Sequence, residues 1–424
     1  MELKRALGTS GLVVHYVTSV MGVGILVLPG IALATAGPAS LLAWVALIVF
    51  SYPFALIFAR MSMRYPNSRG VIDFIEQAFG TRFGSRVAIF LLITLIVGNP
   101  LLGIAAGRYL GQSLGIEDNR AVLALGYAII ASSVVVNWFG IRISVRLQGF
   151  ILAALVAFIV GVCLVALQHA DPTALTRPAP HGAGAVGAAL VVCFFGFIGW
   201  ENAAPVAEEV IRPERTFPRA IVIGVLFVGA MYLLMVLTVI LVLPPDLGIH
   251  EGSTSFSGLL AVSGGTTFSR LGSLVAACLM IMTTNAWTLG TSRYLFGLAR
   301  SGNLPRKLGS LSGRAAVPRA ALLAVGLLYG LTVLGLVMVD GTERTLISLS
   351  SSGFLLFFLL GFLSAWRLLK SRVDRVLVVL LCLATTAMLA IHWQGLAFCA
   401  LGWIAAELLG RMRSRSGEAV RQRG

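Results

Sequence analysis

Glu201 is the only acidic residue near the middle of any long apolar stretch in this 424-residue chain. A carboxylate in hydrocarbon is costly, so its position marks a functional site by default. It sits within "FFGFIGWENAAP", which also supplies Phe194, Phe195, Phe197, Gly199 and Pro205. A second interrupted apolar stretch, "VMGVGILVLPG" at 20–30, holds Val20, Met21, Gly22, Val23, Gly24 and Ile25 ahead of Pro29. Glycine and proline support a helix least well, so each stretch is expected to break a helix inside the bilayer. A break strands backbone N–H and C=O groups that must find partners in a dry medium. A zwitterionic amino acid answers both needs. Its carboxylate suits the amides of Val23, Gly24 and Ile25, and its ammonium suits the carbonyls of Val20, Met21, Phe194 and Phe197. Glycine leaves room for a ligand to reach the backbone, although close helix packing is the other use of Gly22 and Gly24. Glu201 has three candidate roles: a cap on the second half of its helix, an indirect partner of the ammonium, or a proton carrier.

Other polar residues cluster on a few spans: Asn99 beside Pro100, the run Thr283, Thr284 and Asn285, and Ser348, Ser350, Ser351 and Ser352 beside Gly353. Facing inward they could line or gate a pathway, and hydroxyls also serve as interhelical glue. Phe195, Phe197, Trp200 and Trp287 are candidates for an apolar side-chain pocket. Several signals carry no site. "GAGAVG" at 182–187 follows "RPAPH" rather than a strand, so it is not a dinucleotide loop, and no Walker A sequence exists. Cys163, Cys193, Cys278, Cys382 and Cys399 lack metal-ligand spacing and read as small core residues. His15 is a lone intramembrane histidine and reads as structural. No cofactor or metal is implied.

The elements that must position these residues follow from composition. With 58% hydrophobic and 12% charged residues the chain is an all-α polytopic membrane protein. Twelve spans of about 20 residues are expected at 11–36, 39–60, 87–110, 121–138, 145–168, 185–209, 219–243, 269–297, 317–339, 343–366, 374–391 and 394–410. The net charge of +15 is sorted along them: 27 of the 32 Lys and Arg residues fall on segments that are cytoplasmic if the N-terminus is. Arg108, Arg120, Arg177, Arg270 and Arg344 do not. That asymmetry places both termini in the cytoplasm and argues against a nucleic-acid partner. Residues 1–10 are then a short leader to the first span, and 411–424 a basic, solvated cytoplasmic tail. The apolar run near the N-terminus is too long for a cleaved signal peptide. "VIDFIEQAFG" at 71–80 suits an amphipathic helix lying on the membrane face. The broken helices head two five-span units of opposite topology, 11–168 and 185–366, with 374–410 appended. Such a pair points to an inverted-repeat transporter with its site at the breaks.

The stretches "VMGVGILVLPG", "FFGFIGWENAAPVAEEVIRPERTFPRAI" and "TTNAWTLGTSRYLFGLARSGNLP" resemble the corresponding blocks of the amino acid, polyamine and organocation (APC) transporters, in order along nearly the whole chain. The chain is most similar to short bacterial members that include exporters of methionine and branched-chain amino acids. The resemblance implies a LeuT-like 5+5 inverted repeat with two further helices, and alternating access around broken helices 1 and 6. It implies backbone substrate contacts at Gly22, Val23, Gly24 and Ile25, and pocket or gate roles for Phe194, Phe195, Phe197 and Glu201. In many proton-coupled relatives a lysine in the fifth span lies near the first break; the matching position here is Leu155. The expected function is inner-membrane transport of small neutral amino acids, by export, exchange or proton- or sodium-coupled import, with the driving force left open between a proton on Glu201, a sodium site near Thr283 and Thr284, plain exchange and uncoupled movement. An intramembrane enzyme would need a converging nucleophile and base, for which His15 has no evident partner.

Overall fold

The computed structural model describes residues 7–21, 23–65, 70–139, 145–176, 182, 184–204, 207, 210–244, 255–312, 317–339 and 341–421. It is nearly all helix: α1 Thr9–Val20, α2 Val23–Ala36, α3 Ser40–Arg64, α4 Val71–Phe79, α5 Thr81–Gly98, α6 Pro100–Leu114, α7 Asn119–Trp138, α8 Val145–Ala166, α9 Gly184–Phe194, α10 Pro213–Val242, α11 Ser255–Arg300, α12 Arg319–Met338, α13 Glu343–Leu368, α14 Arg372–Ile391 and α15 Gln394–Arg421. Among the described residues, ten helical stretches are long and apolar enough to cross a membrane. The expected first span is divided: α1 has 12 residues and α2 has 14, each short of the ~20 needed for a crossing. The helix is interrupted at Met21, which leaves helical geometry; Gly22 and Pro205 lie outside the described residues.

Helices in lipid gain little from apolar burial against one another and associate through close packing of small residues. The glycines of α6 show this. A Cβ on Gly107 would lie 2.6 Å from Gly126 N of α7, and one on Gly103 would lie 2.5 Å from Ile130. Around this contact α11 and α12 pack on α6 and α7, while α1 packs on α10 and α2 on α9. α13 runs beside α5, and α14 and α15 cover α3, α5 and α13. Ion pairs Arg60–Asp374 and Arg86–Glu407 (3.0 Å) tie these last two helices to the rest.

Three elements differ from expectation. α4 does not lie on a lipid face: Val71, Ile72, Phe74 and Ile75 are buried where it packs against α5 and α13. Its apolar stripe is satisfied by protein. α11 starts well ahead of residue 269 and bends where Gly264 and Gly265 leave helical geometry, Gly265 at φ +69°. The extra helical piece donates from Ser255 Oγ to Leu26 O of α2 at 3.3 Å. α15 carries its helix through Arg421 into the basic tail.

Candidate functional site

The two breaks face each other. α1 ends at Val20, and Met21 turns away at φ −82°, ψ 59°. On the opposing segment α9 ends at Phe194, a short 3-10 turn covers Phe195–Phe197, Ile198 is extended, and Gly199 adopts φ +134° before a second 3-10 turn at Trp200–Ala203. A side chain at Gly199 would be strained by that φ and would place its Cβ 2.6 Å from Ser19 O. One turn further, a Cβ on Gly24 would lie 2.7 Å from the Cα of Gly196. Glycine on both segments therefore lets two stretches of backbone touch beside the breaks.

Tyr232 of α10 closes this junction. Its buried hydroxyl donates to Gly196 O at 2.6 Å and lies 3.3 Å from Val20 O, so one group serves the carbonyl ends of both broken helices. Trp44 and Phe197 box the phenol, with ring centroids 4.8 and 5.0 Å away. The phenol thus meets Val20 O, one of the expected carbonyls, and Gly196 O beside the others. At the other pole, the first amides of α2, from Val23 to Ile25, precede any helical acceptor and form its positive end.

Glu201 is buried, 8% exposed, and its Oε2 accepts the Gly199 N–H at 2.9 Å. The carboxylate thereby holds the positive-φ glycine on which the second half of the break turns. Beside it the carbonyl of Asn202 lies 2.8 Å from His15 Nε2, and Trp200 packs on Tyr16 at 5.4 Å between centroids. Phe194 meets Phe358 of α13, with centroids 6.0 Å apart. Phe195 is half-buried beside Gly98, which in turn packs on Ser350.

The remaining sequence candidates make their hydrogen bonds elsewhere. Asn99 Nδ2 donates to Thr291 (2.8 Å) and Tyr329 (2.9 Å), joining α11 and α12 to the α5–α6 junction. Thr283 and Thr284 hydroxyls donate to the carbonyls of Leu279 and Met280 one turn back. Asn285 accepts from Asn137 of α7 at 2.8 Å. Trp287 and Leu155 are half-buried against the main apolar core. Ser352 lies 3.0 Å from His392 Nδ1, and Ser348 lies 2.6 Å from its Nε2, so this serine face packs on the α14–α15 connection. Among the described residues, no group of three or more His, Cys, Asp or Glu is placed to hold a metal.

Sequence reading missed Tyr232 and Trp44. A signal was present: a phenol or indole deep in an apolar span requires a polar partner or a packing role.

The family model described as "Amino acid permease" matches residues 7–417. The chain belongs to the amino acid permease family. The permease is 31% identical over 408 residues to the L-methionine/branched-chain amino acid exporter YjeH of Escherichia coli (strain K12), covering 93% of each chain. It is 28% identical over 356 residues to the uncharacterized amino acid permease YecA of Bacillus subtilis (strain 168), covering 84% of this chain and 83% of that one. An uncharacterized transporter of Mycobacterium tuberculosis (strain H37Rv), Rv1999c, is 28% identical over 366 residues, covering 86% of this chain and 80% of its own. The permease is accordingly a multi-pass membrane transporter of the APC superfamily, and its substrate is an amino acid.

Proposed function

We propose that the permease is a secondary transporter of the inner membrane that exports small neutral L-amino acids, of the methionine and branched-chain type, by alternating access around the α1–α2 and α9 breaks. The observation that carries this reading is the junction of the two breaks, where the positive start of α2 and the carbonyls of Val20 and Gly196 lie around one glycine crossing. The substrate carboxylate docks on the amides of Val23, Gly24 and Ile25. Its ammonium brings three donors to carbonyls that otherwise share the single proton of Tyr232. Phe195 and Phe197 supply apolar surface for the side chain. Among the described residues Glu201 is the carboxylate at the breaks, and it is engaged by the Gly199 N–H, which suits a neutral side chain better than a cationic one. The 31% identity to an exporter of methionine and branched-chain amino acids supports both the substrate class and the direction.

In this reading both termini are cytoplasmic, the two five-span units form an inverted repeat, and α14 and α15 are appended. With Leu155 in place of a lysine, a proton on Glu201, a sodium ion or exchange drives the cycle. Counterflow into liposomes containing purified permease tests it, against a panel of amino acids with and without pH and sodium gradients. Saturable exchange of methionine, leucine, isoleucine and valine, and weak exchange of lysine and glutamate, is expected. Non-saturating flux, or preference for a charged amino acid, would refute the reading.

A further inference from the structure

At the end of the bundle away from the arginine-rich links, two neighbouring residues in the first turn of α13 reach two different helices. Glu343 pairs with Arg108 of α6, whose Nη2 also donates to Asn119 Oδ1 at the start of α7 at 3.2 Å. Arg344 donates to Thr35 Oγ1 near the end of α2. The side chains of Arg108 and Glu343 are only 11% and 14% exposed, so the pair is largely withdrawn from water.

Two of the helices joined here, α2 and α13, lead to the site. α2 is the half-helix that starts at the break. Along α13, Ser350 lies two turns, or ~10 Å, beyond Glu343, and it packs on Gly98 beside Phe195. α6 packs on both α2 and α13 at this end, and the two charged contacts tie the three helices together over the breaks.

We propose that the Arg108–Glu343 pair, with Arg344–Thr35 beside it, is a transport gate: formed, it closes this end over the site, and it parts in each cycle to let substrate pass. The proposal rests on the alternating-access reading above. A largely buried ion pair suits such a gate because it is compensated when formed and hydrated when fully open, while a half-open state leaves charges without partners. That favours two discrete arrangements over gradual opening. A static brace would use the same contacts but would never need to break.

Cross-linking separates the two. In a background with the native cysteines replaced, Arg108→Cys with Glu343→Cys is bridged by a bis-methanethiosulfonate reagent that dithiothreitol cleaves. Counterflow should fall at least tenfold when bridged and return on reduction. Bridged protein, verified by mass spectrometry, that exchanges at the unbridged rate would overturn the gate. Should the cysteine pair be inactive before bridging, a second arm decides: Glu343→Gln should speed labelling of Phe195→Cys by an impermeant maleimide from this end roughly five- to hundredfold, with Glu343→Asp near the parental rate. Unchanged labelling in Glu343→Gln overturns the gate. Absence of saturable counterflow by the unmutated permease would refute the transport reading instead.

Discussion

Gly24→Ala is the sharpest probe of the junction. The added Cβ would lie 2.5 Å from Tyr232 Oη and 2.7 Å from Gly196 Cα, about 1 Å short of the 3.4–4 Å of ordinary contact. Neither neighbour can yield cheaply. Gly196 is backbone, and the Tyr232 ring is boxed by Trp44 and Phe197 at 4.8 and 5.0 Å between centroids. Overpacking of this kind costs ~1–3 kcal/mol, and displacing the phenol from Gly196 O adds ~1 kcal/mol for the lost hydrogen bond. If that strain of about 2–4 kcal/mol falls on the state with the breaks closed on substrate, exchange drops roughly 30- to 900-fold. The assay is the initial rate of counterflow per folded protein in liposomes, with monodispersity in detergent confirming insertion and folding. Gly335→Ala is the control, since a Cβ there meets nothing within 4 Å, and it should transport normally. Wild-type exchange and wild-type thermal stability in Gly24→Ala would refute the argument that the two backbones meet at this residue.

Three further outcomes are expected. Tyr232→Phe removes the donor from Val20 O and Gly196 O and should cost ~1–3 kcal/mol, read as a lowered Tm in detergent together with weakened exchange. Glu201→Gln keeps an acceptor for the Gly199 N–H and should preserve Tm, whereas Glu201→Ala should lower it by the equivalent of ~1–3 kcal/mol. If Glu201 also carries the coupling proton, the pH profile of exchange flattens in the Gln variant; an unchanged profile leaves it as a cap alone. Outside the spans, burial holds the His392 pKa below the ordinary histidine value. The unfolded chain then binds the proton more readily, so stability is full above the unfolded pKa of ~6.5 and is lost as pH falls through the lower folded value. The Tm of the wild type should therefore fall more steeply between neutral and acid pH than that of His392→Gln. Parallel slopes would show that the ring is not the cause.

The breaks were legible in the sequence because glycine and proline act locally. Gly199 interrupts its apolar run at φ +134°, whereas Gly24 and Pro29, which mark the first break in the sequence, lie inside α2, which runs on through both. Which groups meet the stranded carbonyls was not legible. Tyr232 lies 212 residues from Val20, and nothing in "GAMYLLMVL" specifies its distant acceptors. The serine run on α13 shows the same limit in another form. Its hydroxyl pattern reveals a polar face, but only the packing of α14 and α15 turns Ser348 and Ser352 toward His392 and leaves Ser350 near the breaks. Amphipathic α4 failed differently: a stripe of Val, Ile and Phe meets lipid or protein equally well, and periodicity does not choose between them. The Arg108–Glu343 pair joins residues 235 apart that charge sorting read only as topology.

The shared hydroxyl also bears on how the chain is made. Val20 O and the residue that reaches it are separated by 212 positions, and chains grow at ~5–20 residues per second. The first break must therefore wait about 10–40 s in the membrane or its insertion machinery before Tyr232 exists to meet it. During that interval α1 and α2 hold an unfinished end that water, lipid headgroups or an assisting protein must satisfy. Assembly of the site is thus timed by the emergence of α10, and truncations that stop before it should leave the N-terminal half exposed to quality control.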